Sequence, residues 1–321
     1  MVLPTDPARP FGAVLTAMVT PMTPDGAVDL KAAVKLAKKL VDDGNDGIVL
    51  SGTTGESPVT HTPEKEELVA AVVEAVGHRA AVVAGAGSND TVHAIRMAEQ
   101  AAESGADGLL VVSPYYSRPS QEGLFQHFVA VADATDLPVM LYDVPGRTVV
   151  RIAADTYRRL AQHPRIVANK DATGDVYAAS KLIGETGLAW YSGDDGLLLP
   201  FLSVGGAGIV SVSAHVVGAH FAETVRRFDA GDIAGAIEVF RTTTGVIDAL
   251  NGAGAQAVMA KAAVELLGVT DNRFLRLPNV AASDDEVAAL RAVLAEAGLL
   301  RDGDAHQPEV NELAQASSAG H

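Results

Sequence analysis

Lys170 stands where a lysine is costly. It closes the run RIVANK (residues 165–170), a short β-branched, apolar stretch that reads as a buried strand. An ammonium taken out of water without a partner tends to give up its proton. Two readings follow. Either a carboxylate, Asp171 or Glu56, neutralises the charge, or the lowered pKa is itself the purpose. A neutral buried amine is a nucleophile that can form a Schiff base with a carbonyl substrate. Successive residues on a strand face opposite sides, which weakens Asp171 as the partner. The other seven lysines (Lys31, Lys35, Lys38, Lys39, Lys65, Lys181 and Lys261) lie in helix-patterned segments, where a solvated position suffices.

Schiff-base chemistry also needs a proton carrier and a grip for substrate charge. Tyr142 ends another apolar run, and a phenol can shuttle a proton when held within hydrogen-bond reach. Its alternative is a core ring whose hydroxyl meets a backbone acceptor. Arg147, five residues on, can hold a carboxylate in a bidentate fork, or form a surface ion pair. Other polar residues at run ends are Thr53, Thr54 and Glu56, then Tyr115 and Tyr116, and finally Asp194 and Asp195. The last two are read as loop and helix-cap residues. No metal is expected, because the nine histidines show no ligand spacing and SGDD lacks a third ligand.

The elements that must position these residues alternate along the chain. Eight short β-branched runs, from GAVLTAMVTP to AGIVSVSA, are separated by amphipathic segments such as DLKAAVKLAKKLVDDG. Asp29, Thr62 with Pro63, and Asn89 or Asp90 are start signals for helices; Gly44, Gly77 and Gly105 are stops. Parallel neighbours need a crossover between them, so this alternation predicts a parallel sheet. Eight units in about 220 residues predict a closed (β/α)8 TIM barrel. An open doubly wound sheet is the alternative, but its G-x-G-x-x-G turn is missing; GAGSND is read as a structural turn.

The barrel is predicted over residues 11–230, after an N-terminal tail at 1–10. A C-terminal extension of three helices follows over 231–302, the last capped by Ser283. The polar segment 303–321 is expected to be disordered. Hydrophobic residues make up 48% of the chain, ample for a full core, and the formal net charge is −16. That sign repels phosphate backbones and anionic membrane surfaces. With no cysteine, disulfides, thiolate metal sites and thiol nucleophiles are excluded. The N-terminus carries no apolar signal region and no run is long enough to span a bilayer, so a cytoplasmic location is expected.

As a set, GTTGES, SPYYSRPSQEGLFQHF, LYDVPGRT, KDATG and SGDD resemble the landmarks of the dihydrodipicolinate synthase family. This family sits among the pyruvate-dependent class I lyases that also include N-acetylneuraminate lyase. The resemblance runs from about Phe11 to Leu300. It implies that Lys170 forms an imine with pyruvate, whose enamine attacks L-aspartate-4-semialdehyde to give 4-hydroxy-tetrahydrodipicolinate in lysine biosynthesis. It further implies Tyr142 as acid/base, linked through Thr54 to Tyr116 of a neighbouring subunit in a homotetramer. Thr53 would hold the pyruvate carboxylate and Arg147 that of the semialdehyde, with the backbone of Gly193 and Val210 lining the lysine pocket. No cofactor is implied beyond the covalent imine. Alternatives are a class I aldolase for N-acetylneuraminate or 2-keto-3-deoxygluconate, and a non-catalytic oxo-acid-binding barrel. The family's feedback pocket for lysine aligns with Ser57, Pro58, Thr62, Lys65, Asn89, His93 and Tyr115. It offers His93 where a ligand with two ammonium groups needs an acid, and Lys65 adds a positive charge, so weak or absent inhibition is expected. Asn169 departs from the family pattern and is expected to face the helices.

Overall fold

A computed structural model describes residues 6–252 and 254–300. The segment 303–321, expected to be disordered, lies outside the described residues. Eight strands close into one parallel barrel in chain order, with β8 returning to β1. The first half comprises β1 (Val14–Ala17), α1 (Leu30–Asp42), β2 (Gly47–Leu50), α2 (Thr62–Val76), β3 (Ala81–Gly85), α3 (Thr91–Glu103), β4 (Gly108–Val112) and α4 (Gln121–Asp133). The second half begins with β5 (Val139–Asp143), α5 (Pro145–Thr148), α6 (Ala154–Leu160), β6 (Ile166–Asp171) and α7 (Val176–Thr186). It ends with β7 (Ala189–Ser192), α8 (Leu198–Ser203), β8 (Gly208–Ser211) and α9 (Ala214–Asp229).

Each crossover helix forms for a local reason and buries one face. In α1, Ala33, Leu36, Ala37 and Leu40 recur at helical spacing and are fully buried, while Lys31, Lys35 and Lys38 fall between them. Asp29 caps this helix by accepting the Ala32 N–H at 2.9 Å. Asp90 caps α3 in the same way through Val92. At α2 the cap is His61 rather than Thr62, because Glu64 reaches back to accept the His61 N–H at 2.8 Å.

Strand alternation divides the core into two layers. Leu15, Val49, Val83, Leu110, Met140, Ala168, Tyr191 and Val210 fill the barrel interior. Ile48, Val82, Leu109, Leu141 and Trp190 face the helices. This alternation orients the site: on β5 and β6, Tyr142 and Lys170 share the inward face with Met140 and Ala168. Asp143 and Asp171 therefore point outward.

After the barrel come α10 (Ile233–Arg241), α11 (Thr244–Asn251), α12 (Gln256–Leu266) and α13 (Asp284–Glu296). The segment expected to form the first of three helices is divided into α10 and α11. Thr242, Thr243 and Thr244 cause the break, each hydroxyl donating to the carbonyl three residues back, at 2.7, 2.7 and 3.0 Å. Such side-chain bonds compete with the helical ladder. The extension packs Val246, Leu250, Ala263, Leu290 and Leu294 against Phe221 and Val225 of α9. Ser283 caps α13 as the sequence predicts. Among the described residues no helix is long and apolar enough to cross a membrane.

Candidate active site

The carboxyl ends of the strands bring the predicted residues to one mouth of the barrel. Parallel pairing sets Tyr142 on β5 beside Lys170 on β6, and Lys170 beside Tyr191 on β7. The Lys170 Nζ lies 4.5 Å from the centre of the Tyr142 ring. Lys170 is 5% exposed and, among the described residues, has no carboxylate within ion-pair distance. Burial lowers its pKa to about 8; Asp195 opposes the shift, and the Arg147 charge adds to it. The amine is therefore far easier to deprotonate than an ordinary lysine.

Both structural partners considered for Lys170 are engaged elsewhere. Asp171 points to the helix layer, where it accepts the Trp190 indole N–H and the Thr173 N–H, each at 2.8 Å. Glu56 pairs with Lys261 at 2.5 Å, with the two side chains 1% and 4% exposed. This corrects the reading of Lys261 as a solvated helix residue. Its position carried a signal: Ala257, Ala260, Lys261 and Val264 stand at i, i+3, i+4 and i+7, the buried stripe of α12.

Burial raises the Tyr142 pKa, against the Arg147 charge and a hydrogen bond with the Thr53 side chain. Thr53 and Tyr142 line the same cavity. Thr54, next in the chain, is buried. Gly193 is closely packed: a Cβ there would sit 3.1 Å from Lys170 Cε and from the Asp171 carbonyl oxygen. Val210 is fully buried on β8 within the barrel interior.

Arg147 lies on α5, exposed and, among the described residues, without a carboxylate partner; its guanidinium approaches Gln256 Oε1 at 3.5 Å. Two cavities share Tyr142 and Arg147 as walls. One, of about 240 Å³, is closed by Thr53, Leu110, Val112 and Tyr115. The other, of about 540 Å³, opens between Gly193, Asp194, Asp248 and Gln256. Tyr116 is not gathered into either. It is 90% exposed, in left-handed backbone with φ 69°.

Asp194 acts as a cap, accepting the Gly196 N–H at 3.0 Å. Asp195 does not, contrary to the loop-and-cap reading. It is buried and accepts from Ser213 N at 2.8 Å, Ser213 Oγ at 2.5 Å and Asn251 Nδ2 at 2.9 Å. This acid joins β7, β8 and α11 beneath the lysine pocket. Asn169 faces the helices as expected, and its Oδ1 accepts the Tyr157 hydroxyl at 3.2 Å.

A family model described as the dihydrodipicolinate synthetase family matches residues 10–297. The chain belongs to this family. A relative named 4-hydroxy-tetrahydrodipicolinate synthase, from Bifidobacterium animalis subsp. lactis, is 54% identical over 92% of this chain and 96% of its own. One from Mycolicibacterium paratuberculosis, with the same name, is 52% identical over 92% and 97%. Among solved structures, a dihydrodipicolinate synthase from Bacillus anthracis superposes with a TM-score of 0.86 at 42% identity, over 89% of this chain and 98% of that one. One from Cyanidioschyzon merolae, described with lysine bound, gives 0.87 at 40% identity, over 90% and 99%. Family membership makes the chain a lyase of the class I aldolase type and accounts for the barrel with its helical extension.

Proposed function

We propose that this protein condenses pyruvate with L-aspartate-4-semialdehyde to form 4-hydroxy-tetrahydrodipicolinate, through an imine on Lys170. The observation that carries the reading is the buried Lys170 amine beside Tyr142, without a carboxylate in ion-pair distance among the described residues. The neutral amine attacks the pyruvate ketone, and loss of water leaves the imine. A methyl proton then departs, giving the enamine. Its terminal carbon attacks the aldehyde, whose oxygen takes up a proton. The substrate's own amine next adds to the imine carbon and expels Lys170, closing the ring. Tyr142 carries protons in these steps, and the imine itself supplies the electron sink without a further cofactor.

Substrate charges find matching groups. Thr53 sits where it can hold the pyruvate carboxylate next to Tyr142. Arg147, open to both cavities, suits the carboxylate of the semialdehyde. Gly193 and Val210 shape the lysine pocket. The relay from Tyr142 through Thr54 needs Tyr116 from a second copy, because in its own chain this ring faces outward. The working unit is then at least a dimer, and a homotetramer built from two such dimers.

Borohydride reduction in the presence of pyruvate tests the mechanism: the adduct is expected on Lys170 and on no other lysine. A map placing it elsewhere, or finding none, sinks the imine. Assays with aspartate semialdehyde, N-acetylneuraminate and 2-keto-3-deoxygluconate then separate the synthase from other aldolases; turnover with a sugar acid alone would reassign the substrate.

A further inference from the structure

The loop that presents Thr53 and Thr54 is bent against its own preference. Ser51 and Glu56, at its two ends, both adopt left-handed backbone, with φ 52° and 57°. Neither is glycine, so both conformations cost energy and persist only where the surroundings hold them. Gly55 allows no relief: a Cβ there would lie 3.1 Å from the Met18 carbonyl oxygen and 3.1 Å from Ser51 N.

Thr20, just after β1, holds the loop from the barrel side by donating to the Gly55 carbonyl at 2.7 Å. A second set of contacts comes from outside the barrel. The Glu56 carboxylate is ion-paired through Oε1 with Lys261 Nζ at 2.5 Å, and its Oε2 accepts the Arg276 backbone N–H at 3.1 Å. Lys261 also donates to the Phe274 carbonyl at 2.7 Å. The Arg276 guanidinium continues the brace, bonding Val59 O at 2.8 Å, Gly26 O at 2.7 Å and the Glu64 carboxylate. One strut from the helical extension therefore reaches the back of the loop whose front meets Tyr142. A buried ion pair is a poor source of net stability, because desolvation offsets the attraction, but it enforces one geometry.

We propose that Lys261 is a positioning residue for catalysis: through Glu56 it fixes the Thr53–Thr54 loop against Tyr142. The extension is then a working part of the site rather than a decoration on the barrel. This rests on the reading of Thr53 as the pyruvate carboxylate holder.

The test compares Lys261→Met, Glu56→Gln and the double variant, with kcat expressed per site trapped by pyruvate and borohydride. Counting trapped sites removes any unfolded fraction. The double variant carries no unbalanced buried charge and should melt near the parent. Its kcat per trapped site is expected to stay at least tenfold down, with the KM for pyruvate raised. The KM for the aldehyde substrate should hold, because Arg147 is carried by α5 and not by this loop. Recovery of kcat together with melting temperature in the double variant would make the pair merely structural and overturn the proposal. Equal shifts in both KM values would do the same. Failure of the parent enzyme to trap pyruvate is a separate outcome, overturning the Schiff-base reading and this proposal with it.

Discussion

Lys170 and Tyr142 are set against each other by one register pair. A lysine pKa near 8 leaves a minority of neutral amine at pH 7. The rate of imine formation at low pyruvate is therefore expected to rise about tenfold per unit below pH 8 and to level off above it. Stopped-flow or borohydride-quenched trapping across pH 6 to 10 measures this; a profile still rising steeply at pH 10 would contradict the burial argument. Lys170→Arg keeps the charge but cannot lose it, so trapping should fall to background. Tyr142→Phe should still form the imine while turnover drops by about 10²-fold or more, the usual worth of a placed proton carrier. Loss of trapping in that variant would instead give Tyr142 a structural role.

Behind the catalytic pair, β5 and β6 each follow an inward residue with an outward acid. Asp143 and Asp171 enter the same buried layer between the strands and α6, with Tyr157 and Trp190. Burial pushes the Asp143 carboxyl up to about 7, against the bond from Ile152 N–H and with the Asp171 charge adding to the rise. Its folded pKa thus lies above that of the unfolded chain. The folded state binds the extra proton between about pH 4 and 7, so this group's contribution to stability falls as pH rises through that window. Asp143→Asn mimics the protonated acid. Its urea midpoint should exceed the parent's modestly at pH 5 and by more at pH 8. Asp171→Asn should lose stability at both, because it forfeits a charge-assisted bond from Trp190. A lower midpoint for Asp143→Asn at pH 8 would show that the folded state favours the charged acid, contradicting the raised pKa.

For the whole molecule, the outward Tyr116 and the pocket beside α2 and α3 make separate demands. Tyr116→Phe mixed with Lys170→Ala should regain some turnover if subunits exchange, since a hybrid dimer would hold one site with both native groups. No recovery despite proven exchange would place Tyr116 in its own subunit's site. Ser57, Pro58, Thr62, Lys65, His93 and Tyr115 line a cavity of about 180 Å³, while Asn89 is not on its wall. Lys65 donates to Ser57 Oγ at 3.1 Å, and no carboxylate is among the lining residues. A free lysine ligand carries two ammonium groups, so L-lysine is expected to inhibit only at millimolar levels or above. An inhibition midpoint far below that would refute this account of the pocket. The alternation of strand and helix runs determined by itself a parallel sheet, since parallel neighbours must be crossed over, and it favoured a barrel; closure was seen only in the tertiary structure. It also singled out Lys170, because a charge ending an apolar strand is conspicuous in one dimension. The bonds of Asp195 and the Glu56–Lys261 pair were decided only by the tertiary structure. Each joins residues far apart in the chain, and such meetings depend on packing angles that local periodicity does not encode.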